Sequence, residues 1–512
     1  MTAVAERVRA LRLADVLESS WIVPVALTAL SVLTLYLRTR ELHAGFWIDE
    51  GLSVGIAHHP WSSIFDTLRH DGSPPLYYLL LRAWMSWFGD GERATHSLSL
   101  VFGVACVPLA YAFGRLAFDR MTGLCCALLA ALNPFLTYYA QETRMYELEA
   151  FLSLVVGLAY LQAIVRGRRA WAPLLVAGLA LMVYTHNWAL FLCFGLAVAT
   201  AVVVRERLGL FAVVAVAVAV LYLPWLPSLL FQIRHTGAPW ATAPNWRDLI
   251  VSPENVISGD GPLVAAVLAA GVGLGAVVRG RPSPERTAVL ALTTATGVAI
   301  AAAWLVSQVS PSWTTRYFAI VVGPLLLLAA RGFVRAGRFG FAALVVVVFF
   351  WAGYVLHDDK ENARGIAAGL GALRPGELVI STHPEQVPVL RYYLGPGLRF
   401  ATTLGPVQDQ QAFDWVDAVS RLRATPPRAT LDRLIKTVPK GQEFVVITPV
   451  FRDYRAWRAK WTKLVWRKSE AWSALLRADP DIRLVRHVAS NEIALKENYF
   501  KPLQAYVYRR VG

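Results

Sequence analysis

Residues 45–51 read Gly-Phe-Trp-Ile-Asp-Glu-Gly, so two adjacent carboxylates, Asp49 and Glu50, follow directly on an aromatic, apolar stretch. An ionisable side chain at membrane depth marks function by default. The alternative for Asp49 is an acid at the N-terminus of a helix opening at Glu50-Gly51, where the helix dipole favours negative charge. Asp71-Gly72-Ser73-Pro74-Pro75-Leu76-Tyr77-Tyr78 reads as a stiff ledge beside those acids, or as a helix start with Pro in its first turn. Gln141-Glu142-Thr143-Arg144-Met145-Tyr146-Glu147 offers a carboxylate and a guanidinium between two apolar segments, for a substrate or as an ion pair tying a short hairpin. Ser312-Trp313-Thr314-Thr315-Arg316-Tyr317-Phe318 puts Arg316 at a helix start. There its fork could clamp a phosphate bidentately or anchor to lipid head groups. His186, in Tyr184-Thr185-His186-Asn187-Trp188, could meet a phosphate or a metal, or be a satisfied structural residue. No HxxxH or HExxH spacing makes a zinc case.

These residues imply a bilayer around them. The chain has 512 residues, 56% hydrophobic and 17% charged, against about 45–50% and about 25% in an ordinary soluble domain. Apolar runs long enough to cross ~30 Å of hydrocarbon occur at 20–38, 94–116, 122–139, 147–165, 170–186, 188–204, 208–229, 262–278, 287–306, 317–331 and 339–356. This pattern predicts a polytopic α-helical membrane protein of about eleven helices, in a range of about ten to thirteen. Arginines fall in every second connection: Arg115 and Arg120, Arg166 to Arg169, Arg205 to Arg207, Arg279 to Arg286, and Arg331 to Arg338. The positive-inside rule puts these in the cytoplasm, with Arg7, Arg9 and Arg12 of the N-terminal segment 1–19. It also accounts for the net charge of +15 without nucleic acid, for which no binding motif is present. The connections 39–93, 140–146, 187, 230–261 and 307–316, and the region from 357, then face outward. Asp49, Glu50, Asp71, Glu142, Arg144, Tyr146, His186, His235, Arg316 and Tyr317 all gather at that one face. Arg38 and Arg40 break the charge rule and are read as snorkelling to head groups.

In the first outer connection, 39–93, Gly51–Leu68 and Pro75–Phe88 have amphipathic spacing and are expected to lie in the interface plane or to cap the bundle. From 357 to 512 the composition turns soluble. Strand-like runs Glu377–Ser381, Glu443–Thr448 and Ile482–Val488 alternate with helical runs Pro384–Leu394, Ala429–Lys436 and Asp453–Leu476, the pattern of an α/β domain. No glycine-rich phosphate loop opens those helices; a lid, stabiliser or docking module is expected. The four cysteines, Cys106, Cys125, Cys126 and Cys193, all lie in apolar runs and read as reduced packing residues.

The order of these motifs, an acidic pair after the first helix, then SPPLYY, QETRMYEL, THNW and TRYF, resembles the GT-C membrane glycosyltransferases over residues 20–356. More narrowly it is similar to the bacterial branch of protein O-mannosyltransferases and lipid A aminoarabinose transferases. The resemblance implies a polyprenyl-monophosphate-sugar donor and a catalytic base in the first outer loop, which falls on Asp49. The family often carries His or Glu where this chain has Ser73.

The chemistry agrees with those implications. Polyprenyl phosphate leaves as a stable anion, so a carboxylate need only take the acceptor hydroxyl's proton, while cations steady the departing phosphate. Asp49 is then the base, Arg144 and Arg316 the clamps, and His186 a third candidate. Glu50, Asp71 and Glu142 are candidates to hold sugar or acceptor hydroxyls, and Tyr77, Tyr146 and Tyr317 complete the substrate-binding set. One displacement would invert the anomeric carbon. No ligand spacing demands a divalent metal, though the acids could take one. The expected acceptor is a cell-envelope glycan, glycolipid or protein outside a bacterial inner membrane, with membrane lipids the other partner. The rival is a transporter or flippase of a lipid-linked glycan, which would place charge near the midplane. The sugar stays open among mannose, arabinofuranose and aminoarabinose.

Overall fold

The computed structural model describes residues 21–257, 260–353, 362–450, 458–489 and 502–512. The N-terminal segment 1–19, the end of the 339–356 window and the first residues of the Asp453–Leu476 run lie outside the described residues. The membrane half begins with α1 (Ile22–Leu37). Three short helices follow: α2 (Ile48–His58), α3 (Trp61–Asp71) and α4 (Leu76–Phe88). Next come α5 (Glu92–Ala117), α6 (Arg120–Leu132), α7 (Pro134–Tyr139), α8 (Tyr146–Tyr160), α9 (Ala172–Thr185), α10 (Ala189–Val203), α11 (Leu208–Tyr222) and α12 (Leu226–His235). The half closes with α13 (Asp248–Ile257), α14 (Asp260–Arg279), α15 (Pro284–Val309), α16 (Ala319–Arg335) and α17 (Gly337–Ala352).

Several ends follow local chemistry. Asp119 accepts from the Thr122 N–H at 2.8 Å to open α6, Asn133 accepts from Leu136 N–H at 3.0 Å to open α7, and Ser283 accepts from Arg286 N–H at 3.1 Å to open α15. Pro134 and Pro284 occupy first-turn positions where no N–H is needed.

Each of the eleven apolar windows carries a helix. Among the described residues, four helical stretches are long and apolar enough to cross a membrane alone: Glu92–Ala117, Tyr146–Val165, Pro284–Val309 and Thr315–Arg335. Ala189–Val203 and Arg205–Tyr222 pass only as a pair bent by 118°. The rest are shorter apolar helices. The stretch from Tyr146 is the bundle's axis, packed against α5, α9 and α16.

Two expectations need correction. Arg38 does not snorkel: it is fully buried, its Nη1 donating to Glu147 Oε1 (3.0 Å) and Gly103 O (2.9 Å) and its Nη2 to Ala130 O (2.7 Å). A carboxylate and two carbonyls inside the bundle outbid the head groups. Gly51–Leu68 is not one interfacial helix. Pro60 breaks it, because the residue before a proline is pushed out of the helical region, and His59 is extended at ψ 152. The first half, α2, is buried on nearly every side.

What covers α2 is the C-terminal domain. It contains α18 (Ala363–Leu370), α19 (Val387–Leu394), α20 (Ala418–Ala424), α21 (Pro427–Ile435) and α22 (Lys460–Ala478). Its mixed sheet has the order β3-β2-β1-β4-β6-β5, built from β1 (Leu378–Ser381), β2 (Arg399–Thr402), β3 (Gly405–Pro406), β4 (Glu443–Pro449), β5 (Ile482–Val488) and β6 (Leu503–Arg510). β1 pairs parallel with β2 and β4, and β6 lies antiparallel between β4 and β5. The three expected strands are β1, β4 and β5. The others escape a reading by pattern: β2 opens on an exposed arginine, β3 is only 2 residues long and β6 ends in two arginines. Two glycines let the domain approach α2: a Cβ at Gly51 would come within 2.5 Å of Val389, and one at Gly55 would collide with Gln411 O.

Candidate functional site

At the mouth of the bundle, under the C-terminal domain, lies a cavity of about 220 Å³. Asp49 enters it from the first turn of α2. Its Oδ2 stands 3.4 Å from Arg316 Nη1 and 3.8 Å from Arg144 Nη2. Arg144 belongs to the turn between α7 and α8. Its Nη1 also donates to Ser53 Oγ (2.9 Å) and to Tyr78 OH (3.4 Å). Arg316 sits in a single turn of 3-10 helix, Thr315–Phe318, just before α16. The rings of Trp240, Trp47, Tyr317 and Tyr146 surround its guanidinium, with centroids 5.0 to 5.9 Å away. Such a box holds a weakly hydrated cation without spending its hydrogen-bond donors.

Asp71 completes the acidic lining with Ser73, beyond the left-handed C-cap Gly72 (φ 104) that ends α3. Burial is the main cause that pushes the Asp71 carboxyl up to about 6; a Ser73 hydrogen bond and Arg144 oppose the rise, and Asp49 adds to it. The C-terminal domain supplies Glu385, Trp415 and Thr462 to the opposite wall.

Five of the ten residues singled out in the sequence therefore line one cavity: Asp49, Asp71, Arg144, Arg316 and Tyr317. The other five stand behind it. Glu50 turns inward, where its Oε1 meets His96 Nε2 (2.7 Å) and accepts from Thr143 N–H (2.8 Å), and its Oε2 accepts from Trp47 N–H (3.4 Å). One buried carboxylate thus ties the helix carrying Asp49 to the turn carrying Arg144. His96 reaches on to Leu42 O at 2.9 Å. Glu142 is buried beside Tyr138, and Tyr77 is fully buried in α4. Tyr146 packs between Tyr139 and Tyr317, with centroids 5.1 and 6.1 Å away, and its hydroxyl meets Arg144. His186 packs against Tyr317 with tilted rings, centroids 4.3 Å apart, and accepts the Trp188 N–H at Nδ1 (3.1 Å). His235, outside the cavity, pairs with Asp417 at 3.3 Å.

Sequence reasoning passed over His96, Trp240, Glu385, Trp415 and Thr462. Only Trp47 carried a signal, as the aromatic preceding the acids. Among the described residues no three His, Cys, Asp or Glu converge as metal ligands.

Most of the chain superposes on solved structures. It matches the crystal structure of ArnT from Cupriavidus metallidurans bound to undecaprenyl phosphate at TM-score 0.61 and 13% identity, covering 96% of this chain and 98% of that one. The oligosaccharyltransferase of Archaeoglobus fulgidus, in complex with Zn and sulfate, matches at TM-score 0.52 and 13% identity, over 83% of this chain and 68% of that one. The chain has the GT-C fold. No family model matches it, and no curated protein matches it in sequence. At 13% identity the likeness is one of fold.

Proposed function

We propose that this protein is an inverting glycosyltransferase that moves a sugar from a polyprenyl-phosphate donor to a hydroxyl acceptor outside a bacterial inner membrane. The observation that carries the reading is a single carboxylate, Asp49, facing two guanidiniums, Arg144 and Arg316, in one cavity at the end of an apolar bundle. A lipid-linked donor suits that place: its tail belongs in hydrocarbon, and its phosphate–sugar bond belongs at head-group depth. Asp49 takes the proton from the acceptor hydroxyl as that oxygen bonds to the anomeric carbon from the side opposite the phosphate. The bond between the anomeric carbon and the phosphate oxygen breaks, and the electron pair leaves with polyprenyl phosphate. Arg144 and Arg316 hold that anion as charge grows on it. Asp71 is the further carboxylate of the lining that accepts hydrogen bonds from sugar hydroxyls in this reading.

The membrane frame that goes with this reading has eleven crossings, the N-terminus in the cytoplasm, and the cavity and C-terminal domain outside. The transporter reading is less well supported, because the carboxylates of the long span from Tyr146, Glu147 and Glu149, sit in its first turn rather than at its centre. The test is transfer by the purified chain in nanodiscs, offered mannosyl, arabinofuranosyl and aminoarabinosyl polyprenyl phosphates with an envelope extract as acceptor. Asp49→Asn is expected to lower the rate by about 10²–10⁴-fold. Transfer that continues undiminished in that variant removes Asp49 from the role of base.

A further inference from the structure

A second cleft, of about 440 Å³, opens beside the first between α3 and the C-terminal domain. We infer that it receives the acceptor as a neutral, hydroxyl-rich glycan, an inference that rests on the transfer reading above. Its position is the first argument. Three pairs of consecutive residues are divided between the two hollows: His70, Pro384 and Asp414 line the second, and Asp71, Glu385 and Trp415 line the first. The two hollows therefore share one partition, which sets the second cleft directly beside the cavity that holds Asp49.

The cleft is also preformed. Its outer wall is the strap 407–415, fastened to the membrane half at two points. Asp409 Oδ2 meets His59 Nε2 at 2.9 Å, and the Trp415 N–H donates to His70 O at 3.1 Å. Within the strap, Asp409 Oδ1 accepts from the Gln411 N–H at 2.9 Å. Within it Phe413 packs edge-on against Trp415 (4.7 Å) and, tilted, against Trp461 (5.5 Å). A cleft held in this way loses little freedom when a ligand arrives, and its volume falls in the ~300–1,000 Å³ range of small-molecule sites.

The lining selects the ligand's chemistry. Asp66 and Gln408 present planar groups that accept or donate two hydrogen bonds side by side, which matches vicinal hydroxyls, while both terminal nitrogens of Arg421 are held by Asp414. Phe413 and Val407 offer apolar surface for the C–H faces of a sugar ring. The charge balance favours neutral ligands over anions. Asp414 is paired with Arg421 at 3.0 Å and Asp409 with His59, while among the described residues Asp66 has no ion-pair partner. A surplus carboxylate repels phosphates and uronates and accepts hydrogen bonds from neutral hydroxyls.

The experiment uses the full chain in nanodiscs and titrates neutral hexasaccharides of mannose, arabinose and glucose, with a phosphorylated mannose oligosaccharide as the anionic probe. Undecaprenyl phosphate binding is read in parallel. Two variants alter the exposed rim, Asp66→Ala with Gln408→Ala, and Thr67→Trp to fill the cleft. At least one neutral hexasaccharide is expected to bind, and both variants are expected to weaken it by about tenfold or more with undecaprenyl phosphate binding unchanged. Absence of binding by every neutral probe, equal affinity in the variants, or preference for the phosphorylated probe overturns the inference. Failure of the transfer reading is separate: it would show as undiminished transfer in Asp49→Asn, which leaves the second cleft untouched.

Discussion

Arg38 and Arg316 are both arginines held within 3.4 Å of a carboxylate and largely shielded from water, yet their surroundings differ in kind. Arg38 and Glu147 are both fully buried, and both terminal nitrogens of Arg38 are spent on Glu147, Gly103 O and Ala130 O. It ties α1 to α5, α6 and α8. Arg316 is walled by aromatic rings, and its one polar contact among the described residues is the 3.4 Å approach to Asp49, an oxygen it shares with Arg144. The first arrangement is saturated and closed, one cation to one anion. The second gathers two cations on one acid at the edge of a cavity, and an arriving phosphate can draw both guanidiniums from Asp49 as it binds. Charge thus holds the bundle together in one region and, on the proposed reading, stands open to a ligand in the other.

The largest effect that would sharpen this contrast is on stability. Arg38→Met leaves Glu147 buried without its cation, which costs about 3–5 kcal/mol when one partner of a buried pair is removed. The thermal midpoint in detergent is expected to fall accordingly, and adding Glu147→Leu is expected to recover most of it. Unchanged stability with lost transfer would break the contrast, because Arg38 would then belong to the chemistry. The next effect lies in the rate. Arg316→Ala is expected to lower kcat/KM by about 10²–10³-fold, the scale of removing one donor from a charge-stabilising site, with little change in the thermal midpoint. Arg316→Lys returns the charge without the fork, so only part of the rate is expected to return.

The same contrast explains what was legible in the sequence. The eleven apolar windows were readable because a run of apolar residues needs no knowledge of its neighbours to be placed in hydrocarbon. The gathering of Asp49, Asp71, Arg144 and Arg316 was readable because each could be assigned to one face by counting connections. Direction was not readable. Asp49 and Glu50 are consecutive, about 100° apart around a helix, so one faces the cavity while the other faces the bundle. Glu50's partners, His96 and Thr143, lie 46 and 93 residues away. Arg38 was misplaced for the same reason, since its acceptors come from three other helices. Glu385, Trp415 and Thr462 reach the cavity only because Gly51 and Gly55 let the C-terminal domain settle on α2, and no local pattern encodes that docking.

The smallest expected effect concerns Asp71, whose protonation sets how far the two-cations-to-one-acid arrangement holds. Its carboxyl is pushed up from 3.8 to about 6, chiefly by burial and partly by Asp49, against the pull of Ser73 and Arg144. Below about 6 the group is neutral, and Arg144 and Arg316 then face Asp49 alone, while Glu385 is taken up by His383 at 2.7 Å. Above about 6 a second carboxylate joins them and offsets the surplus charge. An anionic donor should bind more weakly as the pH climbs through that value, so its KM is expected to rise a few-fold from about pH 5 to about pH 7. Stability has the same sign. The folded chain holds this proton more tightly than the unfolded chain, so the contribution is complete below about 3.8 and is lost as the pH rises through about 6. Asp71→Asn keeps the shape and removes the titration. Its KM should stay flat across that interval, and its thermal midpoint should lose the corresponding slope. A KM limb that survives in Asp71→Asn would assign the titration to another group, and the cavity's balance of charge would then not depend on this carboxyl.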